Sequence, residues 1–450
     1  MAGLLAARVL TDTYETVTIV ERDALPDGPA HRRGVPQGHH THGLLASGRA
    51  VLESLFPGIE QELVARGALA NDIANDSRWF FEGACLQRFD SGLRGLLMTR
   101  PLLESVVRAR VIANPRIRVC DAWAVESLVA SADRTRVTGI MSGGRTIHAD
   151  LVVDATGRGS RSAVWLESLG YERPMEESVH VALGYATRFF RRRATDLGGD
   201  TAVVVPPTPV GKRGGVMLAQ EGDRWTVTLI AHFGGVPPDE LGAFVEFART
   251  LPAPFIHDVV SRADPIGDGA STRFPASVRR RYERLARFPE GYVVFGDAIC
   301  SFNPIYGQGM SVAALQAIEL QKTVAEARDE VGRRFFRRAA RVVDIPWSIA
   351  AGSDLRMPET VGRRGAGVSF VNWYMAKLHQ AAHRDPVAAL AFHRVSNLLA
   401  PPPTVMHPRV ALRVLLAHLG VRSRNVQSGR VPPAVRTRAG ADAPGRRLHS

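Results

Sequence analysis

Gly291-Tyr-Val-Val-Phe-Gly-Asp-Ala-Ile-Cys-Ser-Phe-Asn-Pro-Ile-Tyr-Gly-Gln-Gly-Met310 is the stretch whose reading decides the fold. Tyr292–Phe295 is a short, wholly apolar run of the kind found in a strand buried on both faces. Gly296 and Asp297 end it, and Pro304, Gly307 and Gly309 then open a helix. Glycines at a helix start leave backbone N–H groups exposed at the positive end of the helix dipole, where negative charge is stabilised. Asp297, just past the strand, is placed to accept hydrogen bonds from sugar hydroxyls.

The same grammar recurs upstream. Leu151-Val-Val-Asp154 is a second buried strand, running into Ala155-Thr156-Gly157, where glycine permits close approach of a ligand. Gly3 to Leu10 reads as a helix and Thr16-Val-Thr-Ile-Val20 as a β-branched strand ending in Glu21-Arg22. In dinucleotide-binding βαβ units the last motif glycine packs helix on strand, and an acidic residue about 20 positions later accepts the ribose hydroxyls. Gly3 and Glu21 stand close to that spacing. The preceding strand and the first two glycines are not in the sequence, so the expectation is a native start about 10–15 residues upstream, with Met1 inside the glycine-rich turn. In Thr99-Arg100-Pro-Leu-Leu-Glu104, Pro101 suits a first helical turn, and Arg100 can reach a phosphate.

Between these pieces the pattern is of hairpins. Val137–Ser142 and Arg145–His148 flank Gly143-Gly144, and 215–220 and 224–232 flank Glu221-Gly-Asp. Trp225, Val227, Leu229 and Ala231 alternate onto one strand face, making Trp225, with Phe189, a candidate for lining a substrate cavity. Leu241–Thr250 reads as an amphipathic helix, and residues 311–425 as mostly helical with proline breaks. A tail rich in Arg, Pro, Ala and Gly reads as disordered.

At 450 residues the chain has room for two or three domains. Its 45% apolar and 22% charged residues are globular values that exclude fibrous and disordered classes. No uncharged apolar run reaches the roughly 18 residues of a membrane span, and Arg8 interrupts the apolar start, so a cytoplasmic protein is expected. The net charge is +13, yet lysine occurs only at Lys212, Lys322 and Lys377, and arginine makes up the rest of the 57 basic residues. That arginine is scattered rather than clustered with aromatics, which argues against nucleic-acid binding. Cys85, Cys120 and Cys300 form neither a disulfide framework nor a zinc spacing. His39, His40 and His42 lack a completing carboxylate or thiol, so no metal site is expected. No nucleophile–His–carboxylate set is evident, and no catalytic residue is assigned.

The four pieces, with the loop Arg32-Arg-Gly-Val-Pro-Gln-Gly-His-His-Thr-His42 and the stretch Val153-Asp-Ala-Thr-Gly-Arg-Gly-Ser160, resemble the FAD-dependent, aromatic-hydroxylase-like (group A) flavoprotein monooxygenases. Within them the chain looks most like the flavin epoxidases of polyether pathways and, more distantly, squalene epoxidases. The resemblance implies an α/β fold. A discontinuous Rossmann-like FAD-binding domain (1–55, 95–170 and 286–345), lacking the first strand of its βαβ unit, would adjoin an antiparallel-sheet substrate domain (56–94 and 171–285). C-terminal helices (346–427) and a disordered tail (428–450) would follow. It implies FAD as cofactor, held by Gly3, Glu21, Arg22, Arg33, Gln37, Arg100, Asp154, Gly157, Gly296, Asp297, Pro304, Gly307, Gln308, Gly309 and Met310. Glu21 would hold the adenosine ribose, Arg100 the phosphate or ribityl region, Asp297 the ribityl chain, and Gly307–Met310 the flavin pyrimidine.

The implied reaction is transfer of one oxygen atom from O2, through a flavin hydroperoxide, to an apolar small molecule, as epoxidation or hydroxylation in secondary metabolism. NAD(P)H would be the electron donor, directly or through a separate flavin reductase. Thr156 stands where the family's Ala-Asp-Gly signature has Asp, and Ala163 where it has a later Arg, which bears on donor use. A FAD-dependent reductase of the same fold and a truncated non-catalytic flavoprotein are the competing readings. A halogenase is disfavoured because no Trp-x-Trp is present.

Overall fold

The computed structural model describes residues 1–419. The expected tail 428–450 and the end of the expected helical region, 420–427, lie outside them. Four short parallel strands form the middle of one layer. Val17–Val20 pairs with Ile117–Cys120, and Val152–Asp154 pairs with Tyr292–Val294. The 292–294 strand has no solvent exposure, as its uninterrupted apolar sequence requires of a strand covered on both faces. Helices Ala2–Leu10, Arg100–Ile112 and Gly309–Glu326 pack around these strands in one continuous core with Phe295, Phe335 and Phe336.

The two strand pairs do not join. The amides of Val17 and Glu21 donate to the carbonyls of Arg116 and Cys120, and the alternation of a strand directs those of Thr18 and Val20 the other way. The residues 17–20 and 151–155 both line a cavity between the pairs.

The other layer is an eight-stranded sheet. Its order is Cys300–Ser301, Pro265–Arg280, Glu176–Arg191, Arg224–His232, Arg213–Gln220, Ala202–Val205, Ser77–Phe81 and Ala84–Cys85. The expected antiparallel arrangement needs one correction, because Ala202–Val205 runs parallel to Ser77–Phe81. Long strands rich in Val, Thr and aromatics suit such a pleated surface. One face carries Trp225, Val227 and Leu229 and is closed by helices Leu241–Arg249 and Phe255–Val260.

Helices Val331–Asp354, Val368–Ala382, Pro386–Ser396 and Pro408–His418 complete the described residues. The expected proline break fails at Pro346, which sits inside the longest of them. An interior proline costs about 3 kcal/mol, but Phe335, Phe336, Val343 and Ala350 are buried along the same helix and hold it. Elsewhere prolines do bound helices, as at Pro386 and Pro408.

Helix Ala46–Leu55 crosses helix Gly309–Glu326 at Gly48, where an added Cβ would lie 2.9 Å from the Ser311 Cα. The contact is backbone to backbone, so a side chain there must displace the helix that starts beside the cavity. Gly48→Val is expected to lower unfolding free energy by about 2–3 kcal/mol, read as a lower urea midpoint at unchanged m-value.

Candidate functional site

Both layers face a continuous cavity of about 2540 Å³. Small-ligand pockets run to roughly 300–1,000 Å³, so this one has room for a dinucleotide and a second molecule side by side.

At one end lies a charged cluster. Glu104, on the helix Arg100–Ile112 that Thr99 caps through the Leu102 amide, is 6% exposed. It meets Arg32 Nη2 at 2.7 Å, Arg100 Nε at 3.7 Å and Arg108 Nη1 at 3.8 Å. Arg32 also reaches Glu21 at 2.9 Å. Burial works against the Glu104 carboxylate, but the Met1 ammonium, Arg32 and Arg100 outweigh it and hold its pKa below the usual range. Burial conversely lowers the Arg100 pKa.

The decisive loop forms the middle of the wall. Asp297 opens on the cavity interior and accepts no hydrogen bond from a described residue, while burial raises its pKa against Arg100, the Met1 ammonium and Arg158. Asn303 caps the turn Pro304–Tyr306 through the Ile305 amide, and Gly307, at φ +64°, turns the chain into helix Gly309–Glu326. That left-handed step suits glycine, and it points the first N–H groups of an 18-residue helix at the cavity.

The loop 31–43 spans to the sheet. His40 bridges Thr187 and Thr272 at 2.9 Å each, Thr41 bonds Thr228 at 2.6 Å, and Thr187 bonds Thr228 at 2.6 Å. This network crosses three adjacent strands. Burial lowers the His40 pKa to about 4 and the His42 pKa to about 3, so both imidazoles are neutral near pH 7. Arg158 lies over the Phe274 ring at 4.4 Å. Val204, Val216, Leu218 and Ile230 give the sheet side an apolar lining, and Ile349 and Met357 line the cavity from helix Val331–Asp354 and the residues just after it.

The structure brings most of the expected residues to this cavity: Gly3, Glu21, Arg22, Gln37, Arg100, Asp154, Gly157, Asp297, Pro304, Gly307, Gln308, Gly309 and Met310. Arg33 is a correction, for it is exposed and lies off the cavity, and its neighbour Arg32 turns inward to the carboxylates. Gly296 is another, since it packs against Ala2, which a Cβ would meet at 2.9 Å. Glu21 and Asp154 reach the wall with their carboxylates engaged. Asp154 takes hydrogen bonds from Thr156, Ser160 and Ser162 and so holds its own turn. Trp225 and Phe189 do not line the cavity, because Trp225 is on the helix-covered face and bonds Asp196. The alternate residues Thr228, Ile230 and His232 line it instead. Sequence reasoning missed the threonine ladder and Asp354, and the period-2 register of 224–232 was the available signal for Thr228. Among the described residues no group of His, Cys, Asp and Glu is arranged to hold a metal.

An FAD fits this donor set. Asp297 is a free acceptor for polyol hydroxyls, and Arg32 Nε, Arg100 Nε and Gln308 Oε1 are buried without hydrogen-bond partners. Orphaned buried polar atoms cost about 1–3 kcal/mol each, a cost that a polar ligand between them offsets.

No family model matches the chain. Protein Rv3254 of Mycobacterium tuberculosis is 35% identical over 428 residues, covering 89% of this chain and 88% of that protein. A flavoprotein/dehydrogenase from Cytophaga hutchinsonii is similar in structure, with a TM-score of 0.66 at 14% identity over 94% of this chain and 97% of that one. PqsL, a probable FAD-dependent monooxygenase from Pseudomonas aeruginosa, has a TM-score of 0.58 at 16% identity over 79% and 94% of the two chains. The flavin-dependent brominase Bmp2 has a TM-score of 0.61 at 13% identity over 88% and 91%. At such identities the three structures establish a shared fold.

Glu104→Gln would leave three guanidiniums without their common carboxylate. Removing one partner of a buried pair costs about 3–5 kcal/mol, and a loss at the lower end of that range is expected at pH 7. The folded-state pKa of Glu104 lies below the unfolded value, so its stabilisation is complete above about pH 4.5 and fades as pH falls through the folded value. Thermal unfolding of wild type and Glu104→Gln should therefore differ at pH 7 and converge in acid.

Proposed function

We infer from the premise that the chain belongs to the family of Protein Rv3254 of Mycobacterium tuberculosis, and has the fold of the FAD-dependent, aromatic-hydroxylase-like flavoproteins, that it is an FAD-dependent monooxygenase. The observation that carries this reading is the continuity of the cavity, from Arg100 and Asp297 to the apolar and threonine-lined face of the large sheet. When bound, FAD supplies the activation of O2, and the chain's residues supply position and exclusion of water.

Asp297 would accept hydrogen bonds from the ribityl hydroxyls, and Arg100 and Arg32 would neutralise the phosphates. The helix start at Gly309 and Met310 would face the pyrimidine edge, where its dipole favours negative charge. An apolar substrate would lie against Val216, Leu218 and Ile230, with the loop 31–43 and its His40 clamp closing the cavity from bulk water. We assign 1–55, 95–170 and 286–345 to FAD binding, and 56–94 and 171–285 to the substrate. The oxygen transfer is epoxidation or hydroxylation, as in the polyether-pathway epoxidases, with NAD(P)H as donor directly or through a separate reductase. A cytoplasmic location suits these reactants, and no described helix is long and apolar enough to cross a membrane. Among the described residues no lysine lines the cavity, which favours this reading over halogenation.

The test uses the full chain loaded with FAD, given NADPH or NADH with and without a bacterial flavin reductase, and stilbene as an apolar alkene probe under ¹⁸O2. Donor-dependent O2 uptake with one labelled oxygen in the product is expected. Saturation of the alkene without O2 uptake would replace the reading with a reductase, and a colourless protein that takes up no FAD would end it. Asp297→Ala should weaken FAD binding at least tenfold, measured by quenching of flavin fluorescence.

A further inference from the structure

Asp354 is a buried acid that the reading above leaves without a task. It is the last residue of helix Val331–Asp354, is 1% exposed and stands in the cavity wall. Its Oδ1 accepts from the Tyr306 hydroxyl at 2.8 Å and from Asn303 Nδ2 at 2.8 Å. Its Oδ2 is buried with no partner among the described residues.

This geometry belongs to a neutral carboxylic acid. In either form Oδ2 is unpaired, and burying it as a neutral hydroxyl costs less than burying half a negative charge there, while the carbonyl oxygen can accept both donors. No cation among the described residues compensates. Arg356, two residues on, gives its guanidinium to Glu82 at 2.8 Å, and Lys212 is paired with Glu359. Tyr306 is the titratable side chain in contact with the acid, and burial raises its own pKa well above the usual value. The helix end adds the negative pole of its dipole. Burial pushes the Asp354 pKa up to about 7, against the opposing hydrogen bonds from Tyr306 and Asn303.

Both partners of Asp354 belong to Asn303-Pro-Ile-Tyr306, the turn that immediately precedes Gly307 and the helix start. The long C-terminal helix thus holds the loop that faces the expected pyrimidine edge. Asn303 is itself fixed from the other side by the Ser277 hydroxyl, which accepts its amide at 2.9 Å.

We propose that Asp354 is a positioning residue for the flavin: as the neutral acid it holds, through Tyr306 and Asn303, the loop whose Gly307–Gly309 segment cradles the bound FAD. This rests on the flavin reading above. Ionisation of Asp354 loosens the loop and adds negative charge beside an anionic cofactor, so bound FAD favours the protonated form. By linkage, affinity is full below about pH 7 and falls as pH rises above it.

The experiment measures FAD affinity and the visible flavin spectrum of the full chain from pH 5.5 to 9, without turnover. Wild type should lose at least tenfold in affinity between pH 6 and pH 9, with a shift of the flavin band over the same range. Asp354→Asn keeps the acceptor oxygen and cannot ionise. It should match wild type within twofold at pH 6 and retain that affinity at pH 9. Tyr306→Phe should weaken binding at pH 6 and flatten the pH response. A wild-type affinity and spectrum that do not change with pH, or an equal response in Asp354→Asn, would overturn the proposal and leave the monooxygenase reading standing. Absence of FAD binding at pH 6 would overturn both.

Discussion

The close approach of Gly48 to Ser311 is the contact on which the rest of the structure depends. It lets helix Ala46–Leu55 sit against helix Gly309–Glu326 at backbone distance, and that second helix is the element around which the layer is built. Helices Ala2–Leu10 and Val331–Asp354 also pack on it, and its first turn looks into the cavity. A helix start is useful to an anionic ligand only if its N–H groups are held in place before the ligand arrives. Here buried apolar faces on several sides do that, while the glycine at 307 lets the chain enter the helix without strain.

Where they meet the cavity the two layers are joined by polar contacts as well as by apolar packing of Ile305, Trp347 and Ala351 on the sheet. Loop 31–43 leaves the parallel strands and ends on the large sheet, where His40 and Thr41 bond to threonines of three neighbouring strands. Such a network is strong because its groups are shielded from water and mutually satisfied. The imidazole is neutral there, offering one donor and one acceptor to two hydroxyls. The arginine cluster at the opposite end works differently. Glu104 concentrates Arg32, Arg100 and Arg108 on one carboxylate and leaves Arg32 Nε and Arg100 Nε without hydrogen bonds. Guanidinium N–H groups left over after such pairing are an arrangement suited to phosphate.

Much of this was legible in the sequence. The strand 292–294, the loop after it and the helix at 309 follow from an apolar run, a Gly-Asp pair and two glycines, all local signals. The alternation in 224–232 was legible too, but not which face it served. Trp225 is large and aromatic and so looked like a pocket residue, yet the two helices that follow its strand cover its face. Arg32 and Arg33 illustrate the same difficulty at single-residue scale. Both are arginines in one loop, and the position of carboxylates from other elements, Glu21 and Glu104, decides which turns inward.

The sequence by itself determined the local pieces: which runs form buried strands, where glycine breaks them, and which carboxylates and arginines stand at their ends. These depend on periodicity and backbone preference over a few residues, which composition records directly. The tertiary structure alone decided which side chains share the cavity. Asp354 meets Tyr306 across 48 residues, and His40 meets Thr272 across 232. Such pairings are set by how helices and sheets pack, and packing responds to the summed shape of whole faces rather than to any short stretch of chain.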